Sequence, residues 1–122
     1  CAAALANLEF IIDNKLIKNS LDLGGFLNIF LYELSLKFSN FIFIVQGKGL
    51  LAAIIFKEYK SISATKFANR LCQLALERGL ILVRTGRESV KIGPPLSINK
   101  EALREGLSII DKSLSIISKE IN

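Results

Sequence analysis

Two glycines bracket a single lysine between two apolar runs, and this arrangement constrains the chain more than any other feature. Phe41 to Val45 and Leu50 to Phe56 are rich in β-branched and aromatic residues, which suit a pleated, half-buried surface. Gln46-Gly47-Lys48-Gly49 lies between them. Glycine tolerates the positive φ that a tight or bulged connection needs, so the two runs are expected to pair antiparallel. A sheet with one apolar face then needs helices to cover it.

Helical periodicity appears on both sides of this hairpin. Leu5, Leu8, Ile12 and Leu16 recur at spacings of four and three, which predicts a helix from Ala2 to about Lys18. A second is expected from about Leu21 to Phe38, with Phe26, Phe30 and Leu34 as its stripe and Leu27 and Leu31 widening it. Gly24 and Gly25 either weaken its first turn or allow close packing there. Ser63 to Arg78 reads as a third helix, closed by Gly79 as a left-handed cap. Short strands are expected at Leu80 to Val83 and Ser89 to Ile92, joined by a polar turn around Gly86. Pro94-Pro95 stops the last strand, because proline donates no ladder hydrogen bond. Asn99 then caps a final helix whose apolar face is Leu103, Leu107, Ile110, Leu114 and Ile117. The expected fold is α+β: a small, mostly antiparallel sheet packed with helices. Residues 1–40 form a helical lead-in, and residues 41–122 form the small α+β domain.

Composition narrows the function. The chain has 122 residues, enough for one compact domain, and half of them are hydrophobic. It has no His, which removes the commonest general base at neutral pH and the commonest metal ligand. A free-standing hydrolase or metalloenzyme is therefore disfavoured. Cys1 and Cys72 are far apart and lack CxxC spacing, so neither a disulfide framework nor a zinc site is expected. The net charge is +5, but basic and acidic residues are mixed, as at Asp111-Lys112 and Lys119-Glu120. No nucleic-acid partner is expected, because Phe41-Ile42-Phe43 carries no interleaved basic residue. No membrane partner is expected either: the apolar stretch from Leu21 to Phe38 contains Asp22, Glu33 and Lys37. A soluble, cytoplasmic setting follows as an expectation. The uncapped first helix and the starting cysteine suggest a piece of a longer protein. A stand-alone basic α+β binding module without catalysis is the alternative.

Four blocks, in order, carry a resemblance. Cys1-Ala2-Ala3-Ala4-Leu5-Ala6-Asn7-Leu8-Glu9 resembles the helix that leaves the large domain of class III aminotransferases. Val45-Gln46-Gly47-Lys48-Gly49-Leu50 resembles that family's "VRGKGL" hairpin. Glu77-Arg78-Gly79-Leu80-Ile81-Leu82 resembles its "xxGLLL" step from helix into strand. Val90-Lys91-Ile92-Gly93-Pro94-Pro95-Leu96-Ser97-Ile98 resembles its "IRxxPPLxI" segment. Ornithine, acetylornithine and 4-aminobutyrate aminotransferases form this group.

The resemblance implies the C-terminal small-domain portion of a fold type I enzyme, usually a homodimer. Its cofactor is pyridoxal phosphate, held as a Schiff base by a lysine of the large domain. Its substrates are an amino donor and a keto-acid acceptor. No catalytic residue and no metal site are expected within this chain. By the resemblance, Lys91 stands where the family's arginine binds a substrate carboxylate. Ammonium is a point charge and lacks the guanidinium fork, so the grip is expected to be looser, or the substrate to lack that group. Gln46 likewise stands in place of an arginine. Gly47, Gly49, Pro94 and Pro95 are expected to shape the site. Arg84 and Arg87, on either side of Gly86, could hold an anion or simply be solvated.

Overall fold

The structure, a computed structural model, describes residues 1–86 and 88–122. Its elements are α1 (Ala2–Asp13), α2 (Leu16–Lys37), β1 (Ile42–Lys48), β2 (Leu51–Phe56), α3 (Ala64–Glu77), β3 (Val83–Thr85), β4 (Ser89–Ile92) and α4 (Lys100–Glu120). The strands form one antiparallel sheet in the order β1-β2-β4-β3. The expected α+β fold is thus observed, with α2 and α3 packed on the sheet's inner face and α4 packed on those two helices. Ala52, Ile54, Phe56, Val90 and Ile92 point into that core, alternating with exposed or half-exposed neighbours.

The caps explain the later helices. Ser63 Oγ accepts from the Lys66 N–H, and Asn99 Oδ1 accepts from the Ala102 N–H at 2.8 Å. At the end of α3 the Leu80 N–H bonds to the Ala75 carbonyl and the Gly79 N–H to the Leu76 carbonyl, with Gly79 at φ 86°. This is a Schellman closure. It corrects one strand: Leu80 is committed to the cap, so β3 begins at Val83 rather than Leu80, and Arg84 lies in the ladder instead of a turn. All five expected face residues of α4 are buried.

The first two helices divide differently from expectation. α1 ends at Asp13, and Lys15 takes a left-handed conformation at φ 52° before α2 starts at Leu16. Asn14 caps the break, donating from Nδ2 to the Phe10 carbonyl at 2.9 Å. The Leu5-Leu8-Ile12-Leu16 series therefore spans two helices: Leu16 is buried, and the other three are exposed. α1 buries no residue and, among the described elements, touches only α2. In α2 the core stripe is Leu23, Leu27, Leu31 and Leu34, while Phe26 and Phe30 lie half-buried on its flank. No helix among the described residues is long and apolar enough to cross a membrane.

Candidate functional site

The hairpin turn is tighter than expected. Lys48 pairs with Leu51, so only Gly49 and Leu50 connect the strands, and Gly47 lies inside the ladder opposite Ala52. Gly49 alone of the two takes a positive φ, at 59°, the pattern of a type II′ turn. Phe43 is the extra residue of a bulge between Ile42 and Ile44.

One stripe of α2 holds this tip. Ser20, Gly24 and Asn28 recur every four residues and so share a helix face. Ser20 Oγ accepts from the Leu50 N–H at 3.2 Å. A Cβ placed on Gly24 would lie 2.5 Å from the backbone of Gly49. A Cβ on Gly47 would lie 2.6 Å from Asn28 Oδ1. Gly24 therefore permits direct contact of the helix with the hairpin backbone, and Gly47 makes room for the Asn28 side chain.

The same helix holds the segment after β4. Asn19 donates both Nδ2 protons, to the Leu96 carbonyl at 2.7 Å and the Ile98 carbonyl at 3.1 Å. The Ile98 N–H bonds to the Pro95 carbonyl at 2.9 Å, folding the chain after Pro94-Pro95 into a turn. Two segments some 45 residues apart in sequence are thus pinned side by side by the first turns of α2.

Lys91 lies on the helix-free face, because its neighbours Val90 and Ile92 are buried beneath the sheet. In register it shares a row with Gln46, Ala53 and Val83. Lys48, opposite Leu51, belongs to the next row of that face. Ser20, Lys48, Leu51, Lys91, Gly93 and Pro94 all line a shallow hollow of about 300 Å³. The Lys91 stem lies along Gly93, where an added Cβ would meet its Cε at 3.4 Å. Neither lysine forms a salt bridge among the described residues. A second, apolar hollow of about 380 Å³ adjoins it, walled by Leu80, Val83, Ile92, Pro95, Leu103 and Leu107. Lys91, Gly93 and Pro94 border both hollows, whereas Pro95 borders only the apolar one.

Of the residues singled out from the sequence, Lys91 and Pro94 line the cationic hollow, whereas Gly49 is not in its lining, although its chain neighbours Lys48 and Leu50 are. Gly47 serves the helix side, where it seats the hairpin on α2. Arg84 pairs with Val90 and so faces away from Lys91. Arg87 lies outside the described residues. Lys48, Asn19 and Ser20 were missed as site-forming residues. A lysine in a turn and small polar residues on a helix read locally as surface, and only the strand order brings them together.

The family model described as "Aminotransferase class-III" matches residues 1–114. The chain belongs to the class-III aminotransferase family. It is 36% identical over 115 residues to the mitochondrial ornithine aminotransferase of Arabidopsis thaliana, covering 94% of this chain and 24% of that relative. It is 34% identical over 115 residues to the alanine/serine racemase of Pyrococcus horikoshii, covering 93% of this chain and 24% of that relative. The crystal structure of acetylornithine aminotransferase from Elizabethkingia anophelis superposes with a TM-score of 0.83 at 32% identity, covering 93% of this chain and 27% of that one. The chain thus spans about a quarter of the length of these relatives.

Proposed function

We propose that this chain is the small-domain portion of a pyridoxal-phosphate-dependent aminotransferase that moves an amino group from an amine or amino-acid donor to a keto acid. The observation that carries the proposal is the meeting of two separate family-like blocks, Val45–Leu50 and Val90–Ile98, at one cationic hollow. In this proposal Lys91 binds a substrate carboxylate there. Gly47 and Gly49 let the hairpin seat on α2, and Pro94 and Pro95 shape the wall. Residues 1–40 lead in from the large domain, with α2 as the helix that covers the sheet, and residues 41–122 form the small domain.

The cofactor does not fit the hollow beside Lys91 alone. Among the described residues, this open hollow is lined by no aromatic ring to stack on a pyridine and no carboxylate to meet a pyridinium nitrogen. Pyridoxal phosphate, which supplies the electron sink for amino transfer, is therefore assigned to the large domain and its homodimer partner. What this chain supplies is orientation: a cation held on a rigid sheet and a wall that borders the reacting molecule. The exposed apolar residues of α1, Leu5, Leu8, Phe10 and Ile12, fit a helix that docks on further protein.

The test is complementation. The isolated chain is expected to show no cofactor absorbance and no amino transfer. Mixed with the large domain of a class-III aminotransferase, it is expected to restore both. Because one relative bears the name of a racemase, the assay reads amino transfer to a keto acid rather than loss of optical activity. Cofactor turnover by the chain alone would contradict the proposal, as would a mixture in which the two parts associate and remain inert.

A further inference from the structure

We propose that Lys48 and Lys91 act as a two-ammonium clamp on a single carboxylate, which makes Lys48 a specificity-determining residue of the same site. This rests on the assignment of Lys91 as the substrate-carboxylate ligand and deepens it. A lone lysine offers a carboxylate one strong contact from one direction, whereas a guanidinium offers two. A carboxylate has two oxygens that can be met separately. Two lysines approaching from opposite sides can therefore supply the two-sided grip that one cannot.

The sheet provides that approach. Lys48 pairs with Leu51 and Lys91 with Ala53, so both stand on the helix-free face. Their strands flank β2 and their rows are neighbours, which sets them roughly 10 Å apart across the sheet and roughly 7 Å apart along it. Between them lie Ala53 on the Lys91 row, with its short side chain, and Leu51 on the Lys48 row, which lines the same hollow. Both lysines line the same hollow. Among the described residues no acidic side chain lines it, so the two positive charges are not neutralised from within. Ser20, also in the lining, accepts from the Leu50 N–H, which leaves its own hydroxyl proton to donate. The clamp is held in place at both ends: Ser20 and Gly24 fix the tip that carries Lys48, and Asn19 fixes the segment following Lys91.

The experiment titrates the isotopically labelled chain with glutarate and follows the backbone amide signals of Gly49 and Gly93. The expected result is a saturable shift of both. Lys48→Gln and Lys91→Gln should each weaken binding about ten-fold, and the double variant should be little weaker than either single, because two residues gripping one group couple. Lys112→Gln, on α4, should change nothing. If Lys91→Gln weakens binding and Lys48→Gln does not, the clamp is overturned while Lys91 keeps its assigned role. If glutarate shifts neither signal, both fail. Inorganic phosphate shifting both signals where glutarate shifts neither would overturn the clamp as a carboxylate site.

Discussion

Phe41→Ala is expected to remove about 3–5 kcal/mol of stability, the range for deleting a buried phenyl ring from a packed core. Phe41 is 1% exposed and central to an aromatic cluster. Its ring centroid lies 5.0 Å from Phe67, 5.7 Å from Phe38 and 6.4 Å from Phe56. These residues come from the end of α2, from β2 and from α3, so the cavity would open where three elements meet. Neighbours held by backbone bonds, such as Lys57 N–H to the Phe41 carbonyl at 2.9 Å, limit collapse into the gap. Domains of this size are stable by about 5–15 kcal/mol, so the loss is a large fraction of the total. Urea unfolding measures it: the midpoint should fall with an unchanged slope. Phe43→Ala, two residues away but 67% exposed, should shift stability by about 0.5 kcal/mol or less. Equal effects from the two would place the Phe41 ring outside the core.

The second large effect is a contrast between adjacent glycines in one helix. Replacing glycine by alanine inside a helix normally stabilises by about 0.8–1 kcal/mol. Gly25 is exposed, and a Cβ there meets nothing within 4 Å, so Gly25→Ala should show that gain. At Gly24 the new Cβ would sit 2.5 Å from the Cα, carbonyl carbon and carbonyl oxygen of Gly49. The obstruction is backbone, held at φ 59° in a two-residue turn, and it cannot rotate aside. Overpacking of this kind costs about 1–3 kcal/mol, which outweighs the propensity gain. Gly24→Ala should therefore destabilise and also move the Gly49 and Leu50 amide signals, since Ser20 would lose its grip on Leu50. A gain in stability at both positions would mean that helix and hairpin do not touch at the tip.

Local features made much of this fold legible. The α4 stripe from Leu103 to Ile117, the Ser63 and Asn99 caps and the Gly79 closure all depend on residues within a few positions of one another. What escaped depends on distant partners or on competition for one residue. The apolar period from Leu5 to Leu16 runs unbroken through the α1–α2 boundary, so no periodic signal marks the left-handed turn at Lys15. Leu80 has strand character, but its N–H is taken by the helix cap, and that moves β3 downstream. The hollow proposed as the site was half visible. Lys91 and the glycines were legible through their resemblance to family blocks. The meeting of Lys91 with Lys48 was not, because it requires β4 to pair with β2 while β3 takes the edge.

The most direct measurement is amino transfer by a chimera in which this chain replaces the matching C-terminal quarter of acetylornithine aminotransferase from Elizabethkingia anophelis. Turnover should depend on pyridoxal phosphate. Lys91→Gln in that chimera should raise KM for the keto acid about 10- to 100-fold, because a hydrogen bond to a charged group contributes about 1.5–3 kcal/mol. kcat should change little if the contact is equal in ground and transition states. A chimera that folds, binds cofactor and turns over with a KM indifferent to Lys91 would contradict the assigned site. One that folds and binds cofactor without transferring an amino group would contradict the proposed function itself.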